Sequence, residues 1–243
     1  MIPHIVHYCW FGRNKKPKNI QRYIDKWHQI LPDYQIIEWN EDNFPVDYCS
    51  YTKEAYDMKK YAFVSDVARL YALVQYGGVY LDTDVEILKR FDQYIDEATV
   101  VLSKESNSLL MTAFMGTEKH NKIFEDLLDA YKTRRFKNTD GTLNCVANTV
   151  YLTEYMKEMG LSFDITLQHL DGNVVVYDWK VFGAFNADES QFEITDSTIL
   201  IHYCMASWGT PMFRLQLTLK KNLAFLLGEG YNKIRRLLKK LKN

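Results

Sequence analysis

The chain has 243 residues, 47% of them hydrophobic, which is enough to form the core of one large α/β domain or of two small ones. Its 30 basic and 31 acidic residues leave a net charge of −1, so the composition gives no general case for nucleic acid as a partner. The four cysteines are widely spaced and form no C-x-x-C pair, which predicts free buried thiols in a reducing compartment rather than a zinc site.

The first elements of the chain predict the start of a parallel sheet. Residues 5–11 are an apolar run that predicts a buried strand ending at Gly12, and residues 19–30 have the apolar spacing of a helix. Residues 34–39 predict a second strand. A strand, a helix and a strand in this order favour a βαβ unit with parallel strands and a right-handed crossover.

The strongest predicted helix covers residues 58–76, and the Gly77-Gly78 pair ends it. Residues 79–81 then predict a short buried strand, and residues 85–88 resume the extended pattern. The later chain alternates further short elements, with strands predicted at 99–103, 111–116, 174–177 and 198–202 and helices at 121–131 and 148–159.

Two polar stretches differ from the rest of the chain. Residues 183–193 are predicted to be a loop that could lie on the acceptor side of a site. Residues 219–243 contain eight Lys or Arg and one Glu, so this segment carries +7 and the rest of the chain −8. We therefore predict a domain over residues 1–218 and a basic amphipathic helix over 219–243, which either docks on the acidic body or binds an anionic membrane surface.

Asp82-Thr83-Asp84 is the strongest chemical motif, because it follows a helix, two glycines and a short apolar strand. Ligands of open parallel sheets gather at the carboxyl ends of the strands. Two carboxylates at that position repel each other and favour a cation such as Mg²⁺ or Mn²⁺, which in turn binds phosphate oxygens. His202 ends a late strand, and an imidazole added to these carboxylates would favour Mn²⁺.

Asp66 and Arg69 are three residues apart and share one face of the strongest helix. One interpretation is an exposed ion pair worth at most about 1 kcal/mol. The other is a functional pair whose substitution lowers turnover with little effect on melting. Trp10 has two similar interpretations, a core side chain or a plate that stacks on a nucleobase.

Three stretches resemble glycosyltransferase family 32, the sugar transferases of capsular polysaccharide synthesis and their mannosyltransferase relatives. Residues 2–12 resemble the opening of that family, and residues 62–84 are similar to its central signature. His202 with Ser207 and Trp208 is similar to its closing motif, and the large glucosylating bacterial toxins share all three elements. The resemblance implies an α/β fold of the GT-A type, with a mostly parallel central sheet flanked by helices.

The same resemblance implies that the nucleotide-sugar donor is bound by seven residues: Val6, His7, Trp10, Tyr80, Asn148, Ser207 and Trp208. Trp10 would stack on the nucleobase and Trp208 would donate its indole N–H to the β-phosphate. Catalytic roles are implied for four residues: Asp66, Arg69, Asp82 and Asp84. Asp82, Asp84 and His202 would hold Mn²⁺, with Mg²⁺ as the alternative, and Arg69 would reach the sugar or phosphate.

The implied activity is the transfer of a hexose or N-acetylhexosamine from a nucleotide sugar, expected to be a UDP-sugar, with retention of anomeric configuration. The acceptor would be a saccharide or a lipid-linked molecule in polysaccharide or glycolipid synthesis. Two alternatives stay open: a metal-dependent phosphohydrolase, which also needs clustered carboxylates, and a non-catalytic sugar-nucleotide-binding module. The chain lacks a signal-like start and a long apolar run, which predicts a cytoplasmic protein, peripheral to the membrane if the tail attaches it.

Overall fold

The computed structural model describes residues 1–186 and 191–205, together with the single residues Met212, Leu215, Gln216 and Leu219. Apart from Leu219, the predicted C-terminal helix over 219–243 lies outside the described residues. The predicted site residues Ser207 and Trp208 also lie outside them. Within the described part of the chain, no helix has the length and apolar character needed to cross a membrane.

The strands of the described residues, in chain order, are β1 Ile5–Cys9, β2 Gln35–Trp39, β3 Gly78–Leu81, β4 Val85–Ile87, β5 Val100–Ser103, β6 Phe114–Thr117, β7 Gln168–Leu170, β8 Val174–Tyr177, β9 Phe185–Asn186, β10 Gln191–Phe192 and β11 Leu200–His202. The helices are α1 Lys18–Ile30, α2 Ser50–Asp57, α3 Tyr61–Tyr76, α4 Asp92–Ile95, α5 Lys122–Ala130, α6 Asn148–Glu158 and α7 Trp179–Phe182.

Seven strands form the central sheet in the order β2-β1-β3-β6-β5-β8-β7. The pairs β2–β1, β1–β3 and β5–β8 are parallel, whereas β6 is antiparallel to both of its neighbours and β7 to β8. Five of the seven strands therefore run in one direction and only β6 and β7 oppose them, which confirms the predicted mostly parallel sheet. The predicted parallel pairing of the first two strands is also confirmed, from Ile5 opposite Gln35 to Cys9 opposite Trp39.

Helices cover both faces of this sheet, because its buried strands send alternate side chains to opposite sides. In β5, Val100 and Leu102 join a core cluster that also contains residues of α2, α3, α5 and α6. Val101, between them, joins a second cluster with residues of α1, α4 and α7. The largest side chain of that second cluster is the fully buried Trp27 of α1, whose indole N–H donates to the Val85 carbonyl oxygen at 3.0 Å.

Some boundaries differ from the predictions where tertiary contacts decide them. The helix predicted from residue 58 begins at Tyr61, and a separate helix α2 precedes it. Only three of the eight α2 residues are buried, which gives too weak an apolar pattern to predict the helix. The loop predicted over residues 183–193 contains β9 and β10, which pair antiparallel. Two-residue strands depend on their partner strand and leave almost no periodic signal.

Candidate functional site

The site begins where β1 and β3 end. These strands are parallel neighbours, so Trp10 and Asp82, the residues directly after them, lie at the same edge of the sheet. Gly78 permits this pairing, because it has φ +100° and a Cβ there would lie 2.6 Å from the Ile5 carbonyl oxygen. The glycine pair that the sequence marks as a helix stop therefore also sets the position of the acidic motif.

Strand pairing brings His202 to the acidic motif. Asp84 directly precedes β4, which pairs antiparallel with β11 so that His202 lies opposite Val85. The His202 Nε2 atom is 3.5 Å from the Asp84 Oδ1 atom. The main-chain N–H of Met205 donates to the other Asp84 oxygen at 2.6 Å. The Asp84 carboxylate is thus held from both sides, by the last residue of β11 and by the segment that follows it.

Asp82, Asp84 and His202 form a set of ligand atoms that all lie within 4.8 Å of one another. Burial disfavours the charged forms of Asp84 and His202. Their mutual attraction nevertheless lowers the pKa of Asp84. The Cys204 sulfur and the Asp84 carboxylate together raise the pKa of His202. Two carboxylates and one imidazole at this spacing are a suitable donor set for Mn²⁺ or Mg²⁺. The residues present therefore fit the divalent cation that a DXD motif implies.

Arg69 organises the carboxylates from α3. Five protein oxygens surround its guanidinium within 3.3 Å, namely the Ser65 carbonyl, the Thr112 carbonyl and hydroxyl, and one carboxylate oxygen each of Asp66 and Asp82. The guanidinium carbon also lies 4.7 Å from the ring centre of Tyr80, whose hydroxyl donates to Asp82 at 2.9 Å. Arg69 thus donates hydrogen bonds to Ser65 and Thr112 and lies within ion-pair distance of Asp66 and Asp82, where it can hold both carboxylates in place.

Asp66 and Asn148 lie side by side next to this network. The Asn148 side-chain N–H donates to the Asp66 main-chain carbonyl at 3.0 Å. Burial raises the pKa of the Asp66 carboxyl to about 6, and the charge of Arg69 opposes the rise. The buried Oδ1 atom of Asn148 has no hydrogen-bond partner among the described residues. An unpaired buried amide oxygen is costly, so it is available to accept a hydrogen bond from a bound hydroxyl.

The predicted nucleobase contacts divide into accessible and buried side chains. Trp10 is half-buried, donates its indole N–H to the Asn14 carbonyl at 2.6 Å, and lines a cavity of about 520 Å³. His7 is fully buried, and its two ring nitrogens already bond to the Trp39 indole and the Gly77 carbonyl. Val6 and Tyr80 are buried in the core as well. The side chains of Val6, His7 and Tyr80 have almost no exposed surface. Their contact with a nucleobase therefore stays a prediction.

Sequence reasoning missed several residues of the site. Thr112, which bonds Arg69, lies between strands in a segment with no recognisable motif. Glu105 and Cys204 have ligand atoms within 4.8 Å of each other and of His202, so His202 belongs to two such sets. Of the cysteines, Cys9 and Cys49 are free and buried as predicted, whereas the free Cys145 is exposed and Cys204 only half-buried. These contacts join distant parts of the chain, and one sequence gives no signal for them.

A sequence match relates part of this site to a known family. The family described as "Glycosyltransferase sugar-binding region containing DXD motif" matches residues 17–101, which include Asp66, Arg69, Asp82 and Asp84. The match confirms the resemblance for this part of the chain, which is similar to the DXD sugar-binding region of glycosyltransferases. The sheet topology confirms the predicted α/β fold with a mostly parallel central sheet flanked by helices.

Individual relatives share this class. Inositol phosphoceramide mannosyltransferase 1 of Schizosaccharomyces pombe is 28% identical over 136 residues, which are 51% of this chain and 41% of that protein. An uncharacterized glycosyltransferase of Acanthamoeba polyphaga mimivirus is 24% identical over 173 residues, 65% of this chain and 67% of that protein. A solved glycosyltransferase involved in glycosylation of the major capsid of PBCV-1 is 12% identical, with a TM-score of 0.48 over 89% of this chain and 100% of that chain. The match spans less than half of the S. pombe relative.

Proposed function

We propose that the protein is a metal-dependent, retaining glycosyltransferase that moves a hexose or N-acetylhexosamine from a UDP-sugar to a saccharide or lipid-linked acceptor. The observation that carries this proposal is the set formed by Asp82, Asp84 and His202 at the carboxyl edge of the sheet. A nucleoside diphosphate carries negative charge that such a set can bind only through a cation. The DXD family match supports the same class of donor.

The chemistry needs stabilisation of the departing diphosphate. A divalent cation at this site would supply it as a Lewis acid, held by Asp82, Asp84 and His202. Arg69 fixes the Asp82 carboxylate through an oxygen 3.3 Å away, and Tyr80 donates to the same oxygen. Asp66 and the unpaired oxygen of Asn148 are placed to accept hydrogen bonds from donor-sugar hydroxyls. These residues would hold the sugar in one orientation while the acceptor attacks from the face of the departing group.

A retaining outcome by front-face attack is favoured because no carboxylate of the described residues is evidently placed as a nucleophile. Asp66, the closest candidate, already faces Arg69 at 3.2 Å. A product with inverted anomeric configuration would contradict this part of the proposal and leave the transferase activity standing. Proton NMR of the product from a matched donor and acceptor distinguishes the two outcomes.

The proposed activity is tested by donor hydrolysis over a panel of nucleotide sugars with Mn²⁺. We expect slow release of nucleoside diphosphate from one donor, loss of release with chelator, and loss in Asp84→Ala. Asp57→Ala is the matched control, because that carboxylate is exposed and, among the described residues, its one ion pair is with Lys53. Phosphate release without sugar release would favour the phosphohydrolase, and metal-dependent binding without any turnover would favour the binding module.

We also propose that the protein works at the cytoplasmic face of a membrane, attached through its basic tail. The support is the charge of the sequence, +7 over residues 219–243 against −8 elsewhere. A basic segment gains about 1 kcal/mol for each Lys or Arg near an anionic surface. The full chain should co-sediment with anionic vesicles, whereas a protein that ends at Leu219 should stay in the supernatant. Equal sedimentation of the two proteins would contradict the proposal.

A further inference from the structure

His202 belongs to two sets of ligand atoms, and one of them contains a thiol. In the acidic set it lies with Asp82 and Asp84. In the thiol set its imidazole, the Cys204 sulfur and a carboxylate oxygen of Glu105 all lie within 4.8 Å of one another. The three side chains of the thiol set are partly exposed, so a small ion can reach them. One imidazole thus stands between a set of oxygen ligands and a set that includes sulfur.

The two ring nitrogens of His202 face different sets. The Nε2 atom is 3.5 Å from the Asp84 Oδ1 atom. The Nδ1 atom is 3.3 Å from the Cys204 sulfur, which also lies 3.6 Å from the main-chain oxygen of His202. The His202 side chain is only 11% exposed, so its ring has little room to turn over and exchange these contacts. Each set therefore has its own nitrogen of the same ring.

Main-chain hydrogen bonds hold the thiol set in place. His202 ends β11, and its N–H donates to a carbonyl oxygen at 3.0 Å. Cys204 lies between two residues whose main-chain N–H groups donate to Asp84, at 3.0 Å and 2.6 Å. The Glu105 N–H donates to the Leu109 carbonyl at 2.9 Å in the turn after β5. The three ligand groups are thus brought together by the fold before any metal binds.

Sulfur, nitrogen and oxygen ligands at this spacing suit Zn²⁺. Zinc binds Cys, His and carboxylate side chains in tetrahedral geometry, and its bond lengths place sulfur and nitrogen ligands about 3.5 Å apart. The 3.3 Å between the Cys204 sulfur and the His202 Nδ1 atom is close to that spacing. Thiolate ligands favour Zn²⁺ over Mg²⁺ and Mn²⁺, which prefer oxygen. Three protein ligands would leave the fourth position of the tetrahedron to water.

We propose that Cys204, Glu105 and the Nδ1 atom of His202 form a second metal site, which takes Zn²⁺ and withdraws His202 from the acidic set. A neutral imidazole has one acceptor nitrogen and one N–H. With Zn²⁺ on Nδ1, the Nε2 atom keeps its proton and Asp84 is placed to accept it, as carboxylates do for zinc-bound histidines. The thiol proton of Cys204 passes to solvent as the sulfur binds. Zn²⁺ and Mn²⁺ therefore exclude each other, a consequence that rests on the proposed function because it assumes Mn²⁺ at the acidic set.

Co²⁺ in place of Zn²⁺ tests the second site in the full chain, because a thiolate bound to Co²⁺ gives an intense near-ultraviolet absorption band. We expect this band in the wild type and its loss in Cys204→Ser. Glu105→Gln should raise the Co²⁺ concentration needed for half of the band at least about tenfold, since loss of an outer hydrogen bond alone costs that much. Cys145→Ser is the matched control, because Cys145 is a free and exposed cysteine, and it should keep the band. A band of equal strength in Cys204→Ser would overturn the site.

Displacement of Mn²⁺ tests the exclusion. Zn²⁺ is added to protein loaded with Mn²⁺, and the released Mn²⁺ is followed by electron paramagnetic resonance. Cys204→Ser should need at least about tenfold more Zn²⁺ than the wild type or Cys145→Ser to release half of its Mn²⁺. Equal requirements would mean that Zn²⁺ enters the acidic set directly, which would overturn the exclusion.

The two experiments also separate this inference from the proposed function. Absence of the thiolate band in a protein that binds Mn²⁺ would overturn the second site and leave the glycosyltransferase proposal standing. A thiolate band in a protein that binds no Mn²⁺ would support the second site, overturn the exclusion and contradict the proposed metal-dependent function.

Discussion

Arg69 shows how burial changes the expected effect of a substitution. The sequence leaves an exposed ion pair open and predicts little change in melting. The structure contradicts the exposed interpretation, since Arg69 and Asp66 are both buried. Arg69→Lys keeps the charge but offers three donors to five oxygens, so we expect a loss of about 1–3 kcal/mol of unfolding free energy. Urea unfolding measures it, with Arg13→Lys at the exposed Asp42 pair as the control near zero. Equal losses in the two variants would refute the buried network.

Trp10 and Trp27 form a natural comparison of a binding and a core tryptophan. Trp10 is half-buried at the cavity, so Trp10→Ala should weaken UDP binding with Mn²⁺ by about 1–3 kcal/mol, the value of base stacking. Trp27 is fully buried, so Trp27→Ala should cost about 3–5 kcal/mol of unfolding free energy. Calorimetry and urea unfolding separate the two effects. If the folded Trp10→Ala protein binds UDP with unchanged affinity, Trp10 does not stack on the nucleobase.

His7 predicts a specific dependence of stability on pH. Burial lowers its pKa to about 4, against 6.5 for a free side chain, and the hydrogen bond to Gly77 opposes the shift only in part. The unfolded chain therefore binds the extra proton between these values, and the folded protein loses stability as the pH falls from 6.5 to 4. The loss from this group is roughly 3 kcal/mol. His7→Gln should flatten the pH profile of unfolding free energy in this window. An identical slope in both proteins would show that His7 titrates normally.

At the scale of elements, the contact between β1 and β3 depends on one glycine. Gly78→Ala introduces a Cβ 2.6 Å from the Ile5 carbonyl oxygen at a positive φ, and it should displace β3 and with it Asp82. Gly160 has a similar φ of +92°, with no atom within 4 Å of an added Cβ. Gly160→Ala should therefore show only the backbone cost of about 1–2 kcal/mol. Gly78→Ala should cost more and also weaken Mn²⁺ binding. Equal stability losses would mean that the strand contact is looser than the structure shows.

The elements with strong local patterns were predictable, and those fixed by tertiary contacts were not. The helix that ends at Gly77 and the strands on either side of Asp82 follow from apolar runs and glycine stops, and the structure confirms them. The short β9–β10 pair and helix α2 have little pattern of their own. The candidate site divides in the same way. Its acidic motif can be found from sequence, whereas the contact of Thr112 with Arg69 depends on chain segments that meet only in the fold.

At the scale of the whole molecule, the groups of the proposed donor site lie near the carboxyl ends of β1 and β3. Trp10 and Asp82 directly follow β1 and β3, whereas His202 ends β11, far along the chain. The order β2-β1-β3 places the cavity beside the acidic motif, so base and diphosphate can be bound side by side. This arrangement explains why a continuous donor site can form although its residues span nearly the whole described chain.

The most direct test of the central claim is Mn²⁺ binding in the presence of UDP, followed by electron paramagnetic resonance of the free ion. The wild-type protein should bind one Mn²⁺ whose affinity rises with UDP, because Asp82, Asp84 and His202 supply the ligands. Asp84→Ala should lose this binding while its circular dichroism stays unchanged. If folded Asp84→Ala binds Mn²⁺ and UDP as the wild type does, the assignment of this edge as a metal-dependent donor site is wrong.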